Sequence, residues 1–324
     1  MILVTGASGF IGAALTQRLR AEGADVRGLA RSRPSSAASE LVTVDLSAGP
    51  LDPALLDGIE TIYHLAAKTH DMHETAGAEA EYSRVNIGGT RNLLNAVEGR
   101  HIRRFVFVSS VKALDEGGPE VRDETWTPQP TTAYGRSKLA AEKLVFDTAA
   151  ARGFEAVCLR FPLVYGAGQK GNLTRMMAAI ERGRFPPPPE NGNRRSMLHV
   201  ENAVDALILA GRHPAAAGQT YFVTDAEPYS TRQVYDWIRA ALGKPPTKRS
   251  IPVWFFRMLA SGGEAARAFT GRRVGFDSDA FQKLLGSAWY SPKRIMAELG
   301  FTPTRDLRTA MPELVAAYRR TEED

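Results

Sequence analysis

The sequence predicts a doubly wound α/β fold, a parallel sheet with helices on both faces, followed by a smaller second lobe. In the first half of the chain, short apolar runs alternate with longer amphipathic ones, which is the pattern of strands and helices in such a sheet. Three glycines in TGASGFIG (Thr5 to Gly12) follow the first apolar run, where the chain must turn from strand to helix. After Gly166 the alternation gives way to a proline run and further helical stretches. This change predicts a domain over residues 1–166 and a lobe over 167–324, with a segment around 195–225 returning to the sheet.

Each element is predicted from a local pattern. The buried-strand runs are Ile2–Thr5, Asp25–Ala30, Val42–Asp45, Thr61–Leu65, Arg104–Ser109 and Glu155–Arg160. The helical stretches are Ile11–Glu22, Glu79–Glu98 and Thr132–Arg152, then Val200–Ala210, Ser230–Leu242 and Leu307–Tyr318. Thr131 and Thr132 follow two prolines and can cap the third helix. The run Pro186–Pro189 is interpreted as a stiff connector into the second lobe.

Composition narrows the class of protein. Hydrophobic residues make up 44% of the 324 residues and charged residues 24%, and no apolar run is long enough to cross a bilayer. Met1 precedes an apolar segment without a basic leader, so we expect a cytoplasmic protein. The net charge of +5 is spread along the chain, which does not indicate nucleic-acid binding. Cys158 is the only cysteine, so it forms no intrachain disulfide, and its apolar surroundings favour a buried spectator.

The glycines of TGASGFIG indicate a phosphate site. Gly6, Gly9 and Gly12 fall where the first strand passes into the first helix. Without side chains there, backbone N–H groups and the positive end of the helix can approach a pyrophosphate. Tight strand-to-helix turns also use glycine for geometry alone, so this motif needs support from other residues.

Two further motifs carry chemistry. In YGRSK, Tyr134 and Lys138 are four residues apart on a predicted helix and therefore share one face. A nearby ammonium lowers the pKa of a phenol and brings it closer to usable acid–base range. The run FVFVSS ends at Ser110, at the carboxyl end of a strand, where α/β folds place their ligands. An exposed helical Tyr–Lys pair is the alternative reading of the first motif taken by itself.

Glycine loop, strand-end serine and Tyr-x-x-x-Lys occur in an order that resembles the extended short-chain dehydrogenase/reductase family, over nearly the whole chain. The resemblance implies a catalytic set of Ser110, Tyr134 and Lys138, with Tyr134 as the acid–base group and Lys138 as its electrostatic partner and ribose contact. It also implies a Rossmann fold with a dinucleotide in its cleft. The implied cofactor residues are Gly6, Ser8, Gly9, Phe10, Ile11, Gly12, Arg31, Asp45, Leu46, Leu65, Ala66, Ala67, Tyr134, Lys138, Phe161 and Leu163.

The end of the second predicted strand, VRGLARSR, bears on the choice of cofactor. NAD-preferring folds place an acidic residue there, whereas an arginine accommodates the extra phosphate of NADP. Here Ala30 stands at that place and Arg31 follows, with Arg33 close behind. We therefore favour NADP(H), with NAD(H) as the alternative.

Within the family, the second half is similar to reductases that act on UDP-4-keto-6-deoxy-N-acetylhexosamines. The similar stretches include VSSVKAL, PLVYGAGQKGN and NRRSMLHVENAVDAL. The resemblance implies that Lys112 and Asn172 contact a nucleotide-sugar substrate and that Arg195 meets its diphosphate, which suits a guanidinium fork. It also allows a homodimer.

Two departures from family patterns bear on the reaction. Sugar-nucleotide dehydratases carry Asp-Glu directly after the strand-end hydroxyl, where this chain has Val111 and Lys112, which argues against dehydration. UDP-galactose-type epimerases usually carry Asn where Leu163 stands, which weakens epimerisation. A UDP-hexose 4-epimerase with retained NAD stays as the alternative, and a catalytically silent NADP-binding sensor or scaffold is the third. His70 and His73 are interpreted as part of a substrate loop, and no metal is expected.

Overall fold

The computed structural model describes residues 1–32, 41–69, 77–169, 171–270 and 278–323, and of residues 265–270, 279, 322 and 323 the backbone alone. It confirms the predicted fold class. Seven parallel strands form one sheet in the order β3-β2-β1-β4-β5-β6-β9, and β7 and β8 form a separate parallel pair. The strands are β1 (Ile2–Thr5), β2 (Val26–Ala30), β3 (Leu41–Thr43), β4 (Thr61–His64), β5 (Arg104–Ser110), β6 (Glu155–Phe161), β7 (Leu163–Tyr165), β8 (Met197–His199) and β9 (Thr220–Phe222).

The helices flank this sheet and build the second lobe. They are α1 (Phe10–Ala21), α2 (Ala78–Tyr82), α3 (Gly89–Ala96), α4 (Ala133–Arg152), α5 (Asn172–Glu181), α6 (Val200–Arg212), α7 (Thr231–Ala241), α8 (Val253–Thr270), α9 (Ser278–Leu285), α10 (Lys293–Leu299) and α11 (Leu307–Glu323). A π-helical segment, Ser83–Gly88, joins α2 to α3, so the single helix predicted over Glu79–Glu98 is continuous but locally wider. Thr132 caps α4 as expected, because its hydroxyl accepts a hydrogen bond from the backbone N–H of Gly135.

The six strands predicted in the first half are present, with small differences at their ends. The third is shorter than predicted, and Asp45 lies beyond it. The carboxylate of Asp45 accepts hydrogen bonds from the backbone and hydroxyl of Ser47, which favours a turn over extended pairing. Strands β7, β8 and β9 were not predicted.

The apolar core is divided by the main sheet. One cluster packs α1 and α6 against one face, and a second packs α3 and α4 against the other. A third cluster joins α5, α7 and α11 in the second lobe. The strands are buried on both faces, which explains why they appear in the sequence as continuous apolar runs.

The topology places a crevice at one edge of the sheet. From β1 the chain builds outward through β2 and β3, then returns to add β4 on the other side of β1. Between β1 and β4 the order therefore reverses, and the loops that follow their carboxyl ends diverge. No helix within the described residues is long and apolar enough to span a membrane.

The later part of the chain contributes to both regions. Strand β9 pairs with β6 at the sheet edge, and α6 packs beside α1. Helices α5, α7 and α11 form the second lobe around their own apolar cluster. The division at residue 166 stays a prediction.

Candidate functional site

The glycine loop between β1 and α1 forms a tight cradle. Gly6 has a left-handed φ of 70°, and a Cβ there would lie 2.9 Å from the backbone nitrogen of Ala66. At Gly12 a Cβ would lie 2.1 Å from the carbonyl oxygen of Gly6, so α1 packs against the loop only with glycine at this position. No side chain caps the first turn of α1, which begins after Gly9. These uncapped amides and the bare loop backbone suit a pyrophosphate.

A buried hydrogen-bond chain positions the loop after β4. The backbone N–H of Ala66 donates to the Thr5 hydroxyl over 3.1 Å, and Thr5 Oγ1 lies 2.7 Å from Nδ1 of His64. Nε2 of His64 lies 2.9 Å from Thr90 Oγ1, which donates to the carbonyl of Asn86. Because the Thr90 hydroxyl proton goes to Asn86, Nε2 of His64 carries the ring hydrogen and donates to Thr90, and Nδ1 accepts from Thr5. Burial lowers the pKa of His64 to about 3, so the ring is neutral.

Ser110 and Tyr134 meet where β5 and the start of α4 converge. Their side chains are hydrogen-bonded, and Ser110 Oγ also accepts from the backbone N–H of Lys112 over 3.2 Å. The neighbouring Ser109 donates its hydroxyl to Glu142 instead. We expected Lys138 to lower the pKa of the phenol, but burial dominates and raises the pKa of Tyr134 to about 12, against the opposing effect of Ser110. At neutral pH the phenol therefore carries its proton.

Lys138 lies one turn after Tyr134 on α4 and is almost fully buried. Its Nζ donates to the carbonyl oxygen of Val108 over 2.6 Å and lies 4.4 Å from the centre of the Phe107 ring. Burial lowers the pKa of Lys138 to about 8, while the carboxylate of Glu142 acts in the opposite direction. The ammonium is thus held beside β5, on the face of α4 that carries the phenol.

Asn86 is a buried position beside the site that the sequence analysis missed. It lies in the π-helical segment, where its amide oxygen accepts from the backbone N–H of Lys68 over 2.8 Å and its nitrogen donates to Ser137 over 2.9 Å. Ser137 in turn donates to the carbonyl of Tyr134. Asn86 therefore connects the loop after β4 to the first turn of α4. The only sequence signal was an amide in a helix of otherwise ordinary pattern.

The far end of the crevice carries the residues that bear on cofactor choice. Ala30 ends β2, and Arg31 follows it on the exposed surface of the crevice. Asp45 faces the same space, and its hydrogen bonds with Ser47 lower its pKa, with smaller effects of Arg84 and Arg31. Arg33 lies outside the described residues. Within the described residues, the end of β2 therefore presents the cation Arg31 and no acidic side chain of its own.

The side of the crevice that carries the residues expected to bind substrate is lined by cations. Lys112 forms an ion pair with Glu116 near Ser110. Arg195 is partly buried, and its Nη1 donates to the carbonyls of Gln282 and Gly286 over 3.3 and 3.0 Å. Two further cations, Arg175 and Lys283, line the same space and were not predicted. Arg175 follows the predicted Asn172 by one helical turn on α5, whereas Lys283 comes from α9 and no motif marked it.

All predicted site residues line one cleft of about 1940 Å³, open between the sheet edge and the second lobe. They are Gly6, Ser8, Gly9, Phe10, Ile11, Gly12, Arg31, Asp45, Leu46, Leu65, Ala66, Ala67, Ser110, Lys112, Tyr134, Lys138, Phe161, Leu163, Asn172 and Arg195. Cys158 is fully buried in β6, and burial raises its pKa. His70 and His73 lie outside the described residues.

The parallel sheet, the uncapped glycine cradle and the crevice at the strand-order reversal define a Rossmann-type dinucleotide-binding architecture. The sequence profile described as the NAD dependent epimerase/dehydratase family matches residues 2–223. The chain belongs to this family. The expected resemblance is thereby confirmed at the level of the family.

Individual relatives span most or nearly all of the chain. A UDP-glucose 4-epimerase of Vibrio cholerae is 28% identical over 328 residues, covering 98% of this chain and 95% of that protein. The 4-hydroxy-2-methyl-3-oxo-4-farnesyl-3,4-dihydroquinoline-1-oxide ketoreductase of Stigmatella aurantiaca is 29% identical over 309 residues, covering 88% and 91%. The solved structure of MoeE5 in complex with UDP-glucuronic acid and NAD is 26% identical, covers 99% of both chains and has a TM-score of 0.78.

Proposed function

We propose that this protein reduces the 4-keto group of a UDP-linked deoxy-N-acetylhexosamine, using NADPH in preference to NADH. The observation that carries the proposal is the composition of the cleft. Ser110, Tyr134 and Lys138 all line it, and the first two are hydrogen-bonded to each other. Among the described residues that line its substrate side, four are cationic and none is a carboxylate: Lys112, Arg175, Arg195 and Lys283. A diphosphate-linked substrate suits this arrangement because guanidinium and ammonium groups bind phosphate oxygens.

The chain's own residues supply the acid–base part of the reaction. Ser110 donates a hydrogen bond to the carbonyl oxygen of the substrate and holds it beside Tyr134. Tyr134 gives its proton to that oxygen as negative charge develops there. The raised pKa of the phenol keeps this proton in place at neutral pH. Lys138, positively charged below about pH 8, stabilises the phenolate that remains.

The first half of the chain fits the cofactor. The bare backbone at Gly6 and Gly12 and the uncapped start of α1 would hold its pyrophosphate. When bound, the cofactor supplies the hydride for the carbonyl carbon. Arg31, at the end of β2, supports a preference for the 2′-phosphate of NADP(H). The structure of MoeE5 was solved with NAD, which supports a dinucleotide at this site but points to NAD instead of NADP.

A UDP-hexose 4-epimerase is the second candidate, and the relative from Vibrio cholerae favours it. The same three catalytic residues would serve, with NAD retained through the cycle. Leu163 opposes this candidate, because it presents an apolar side chain to the cleft where such epimerases usually carry an amide. The hydrogen-bond donor of that amide is absent from Leu163.

A panel of UDP-4-keto sugars tests the proposal. The purified protein is mixed with each sugar and NADPH or NADH, nicotinamide oxidation is followed at its absorbance, and products are identified by NMR. We expect oxidation with a 4-keto-6-deoxy-N-acetylhexosamine and an alcohol at C4. Tyr134→Phe should abolish turnover and leave cofactor binding nearly intact. Purification with bound NAD, together with interconversion of C4 epimers and no net oxidation, would support the epimerase instead.

A further inference from the structure

A buried ion pair lies directly behind the catalytic group. Glu142 is on α4, four residues after Lys138, and only 4% exposed. Its carboxylate accepts hydrogen bonds from Nε and Nη2 of Arg160 over 2.9 and 2.7 Å. A third hydrogen bond comes from Ser109 Oγ over 2.5 Å. The Glu142 carboxylate on α4 is thus held by one residue from each of β5 and β6. The proposed reaction uses none of these three residues.

Lys138 faces this carboxylate from one turn earlier on the same helix, since residues four apart share a face. Other titratable groups face Lys138 from every element packed around it. They are His64 on β4, Tyr134 and Glu142 on α4, and Cys158 on β6, with Arg160 behind Glu142. His64 is neutral because its pKa is about 3, and the raised pKa values of Tyr134 and Cys158 keep both protonated. The negative charge that faces Lys138 is therefore the Glu142 carboxylate, which forms an ion pair with Arg160.

We propose that Glu142, held in place by Arg160 and Ser109, is a positioning residue whose negative charge keeps Lys138 protonated across the neutral range. A buried ammonium loses its hydration, and the carbonyl of Val108 replaces only part of it. The fixed carboxylate offsets that loss. The proposal rests on the proposed function only for what Lys138 does in turnover, because its protonation is a property of the chain alone.

The same strands contain a second ion pair, remote from Lys138, whose carboxylate is half-exposed where that of Glu142 is buried. Arg104 begins β5 and Glu155 begins β6, and Nη2 of the fully buried Arg104 lies 2.7 Å from Glu155 Oε2. This pair ties the amino ends of the two strands together, at the opposite edge of the sheet from Lys138. If Glu142 served only to join α4 to the sheet, neutralising Glu142 would leave the titration midpoint of Lys138 as unchanged as neutralising Glu155.

NMR of protein labelled with ¹⁵N-lysine tests this difference, because the Nζ resonance reports protonation directly. The Lys138 signal is assigned by its loss in Lys138→Met, and its midpoint is followed from pH 6 to 10, in about half-unit steps. We expect a wild-type midpoint near the pKa of about 8. In Glu142→Gln the midpoint should fall by about one pH unit or more. Glu155→Gln should leave it unchanged.

Glu142→Gln leaves the Arg160 guanidinium buried without its partner, so a second variant guards against misfolding. In Glu142→Gln/Arg160→Gln the two amides can bond each other, and the same fall in the Lys138 midpoint is expected. Circular dichroism verifies the fold of each variant. A midpoint within about 0.3 pH unit of wild type in a folded Glu142 variant overturns the proposal. Failure of every keto sugar would contradict the proposed function and leave this titration unaffected.

Discussion

Asp225 offers the sharpest test of how the fold holds the substrate side together. It is almost fully buried after β9, and its carboxylate accepts four hydrogen bonds. They come from the hydroxyls of Tyr165 and Tyr229 over 2.6 and 3.0 Å, the backbone of His199 over 2.9 Å and the amide of Asn202 over 2.8 Å. Burial raises the pKa of Asp225, and these bonds act in the opposite direction.

We predict that Asp225→Ala lowers the free energy of unfolding by at least about 4 kcal/mol. Each hydrogen bond to a charged group contributes about 1.5–3 kcal/mol, and donors left buried without a partner add their desolvation. The contributions are not additive within one network, so the estimate is set below the sum of four such hydrogen bonds. The effect should also reach the cleft, because Tyr229 pairs through its backbone with Arg195 over 3.0 and 2.9 Å.

Urea unfolding followed by circular dichroism measures this loss. Asp205→Ala is the control. Asp205, on α6, is partly exposed and pairs with Arg18 on α1, so its substitution should lower the free energy of unfolding by less than about 1 kcal/mol. If enough Asp225→Ala protein folds for kinetics, its KM for the sugar substrate should rise because Arg195 loses its support. An Asp225→Ala protein within about 1 kcal/mol of wild type would refute this reasoning.

Three further predictions concern the cofactor side. Gly12→Ala should weaken dinucleotide binding at least about tenfold in a fluorescence titration, because its Cβ would lie 2.1 Å from the carbonyl oxygen of Gly6. Gly262→Ala is the control and should leave binding unchanged, because a Cβ there would have no heavy atom of the described structure within 4 Å. Arg31→Ala should lower kcat/KM for NADPH by about tenfold or more and leave that for NADH nearly unchanged, and equal losses for both would contradict the assigned preference. The pKa of buried His64 is lowered from 6.5 to about 3, so the unfolded state binds the extra proton and stability falls as the pH drops through this window. The slope should be up to about 1.4 kcal/mol per pH unit, and urea midpoints between pH 7 and 4.5 should depend less on pH in His64→Gln.

The first half of the fold was predictable because its signals are local. Strands buried on both faces are continuous apolar runs, and Gly6 and Gly12 stand where only glycine fits. Ser110, Tyr134 and Lys138 were recognisable because one strand end and one helical turn bring them together. The family resemblance then gave their order along the chain its meaning.

The residues that were missed depend on contacts distant in sequence. Glu142 looks like any polar helical residue until β6 brings Arg160 beside it. Lys283 reaches the cleft only because α9 packs at its edge. The expected lowering of the Tyr134 pKa failed for a related reason: spacing alone predicted the neighbouring cation, but not the burial that outweighs it.

The most direct test of the central claim is nicotinamide oxidation with a UDP-4-keto-6-deoxy-N-acetylhexosamine. The account predicts that NADPH is oxidised in proportion to the sugar reduced, that NMR shows an alcohol at C4, and that Tyr134→Phe abolishes both while still binding NADPH. No oxidation with any UDP-4-keto sugar by a folded protein that binds NADPH would contradict it.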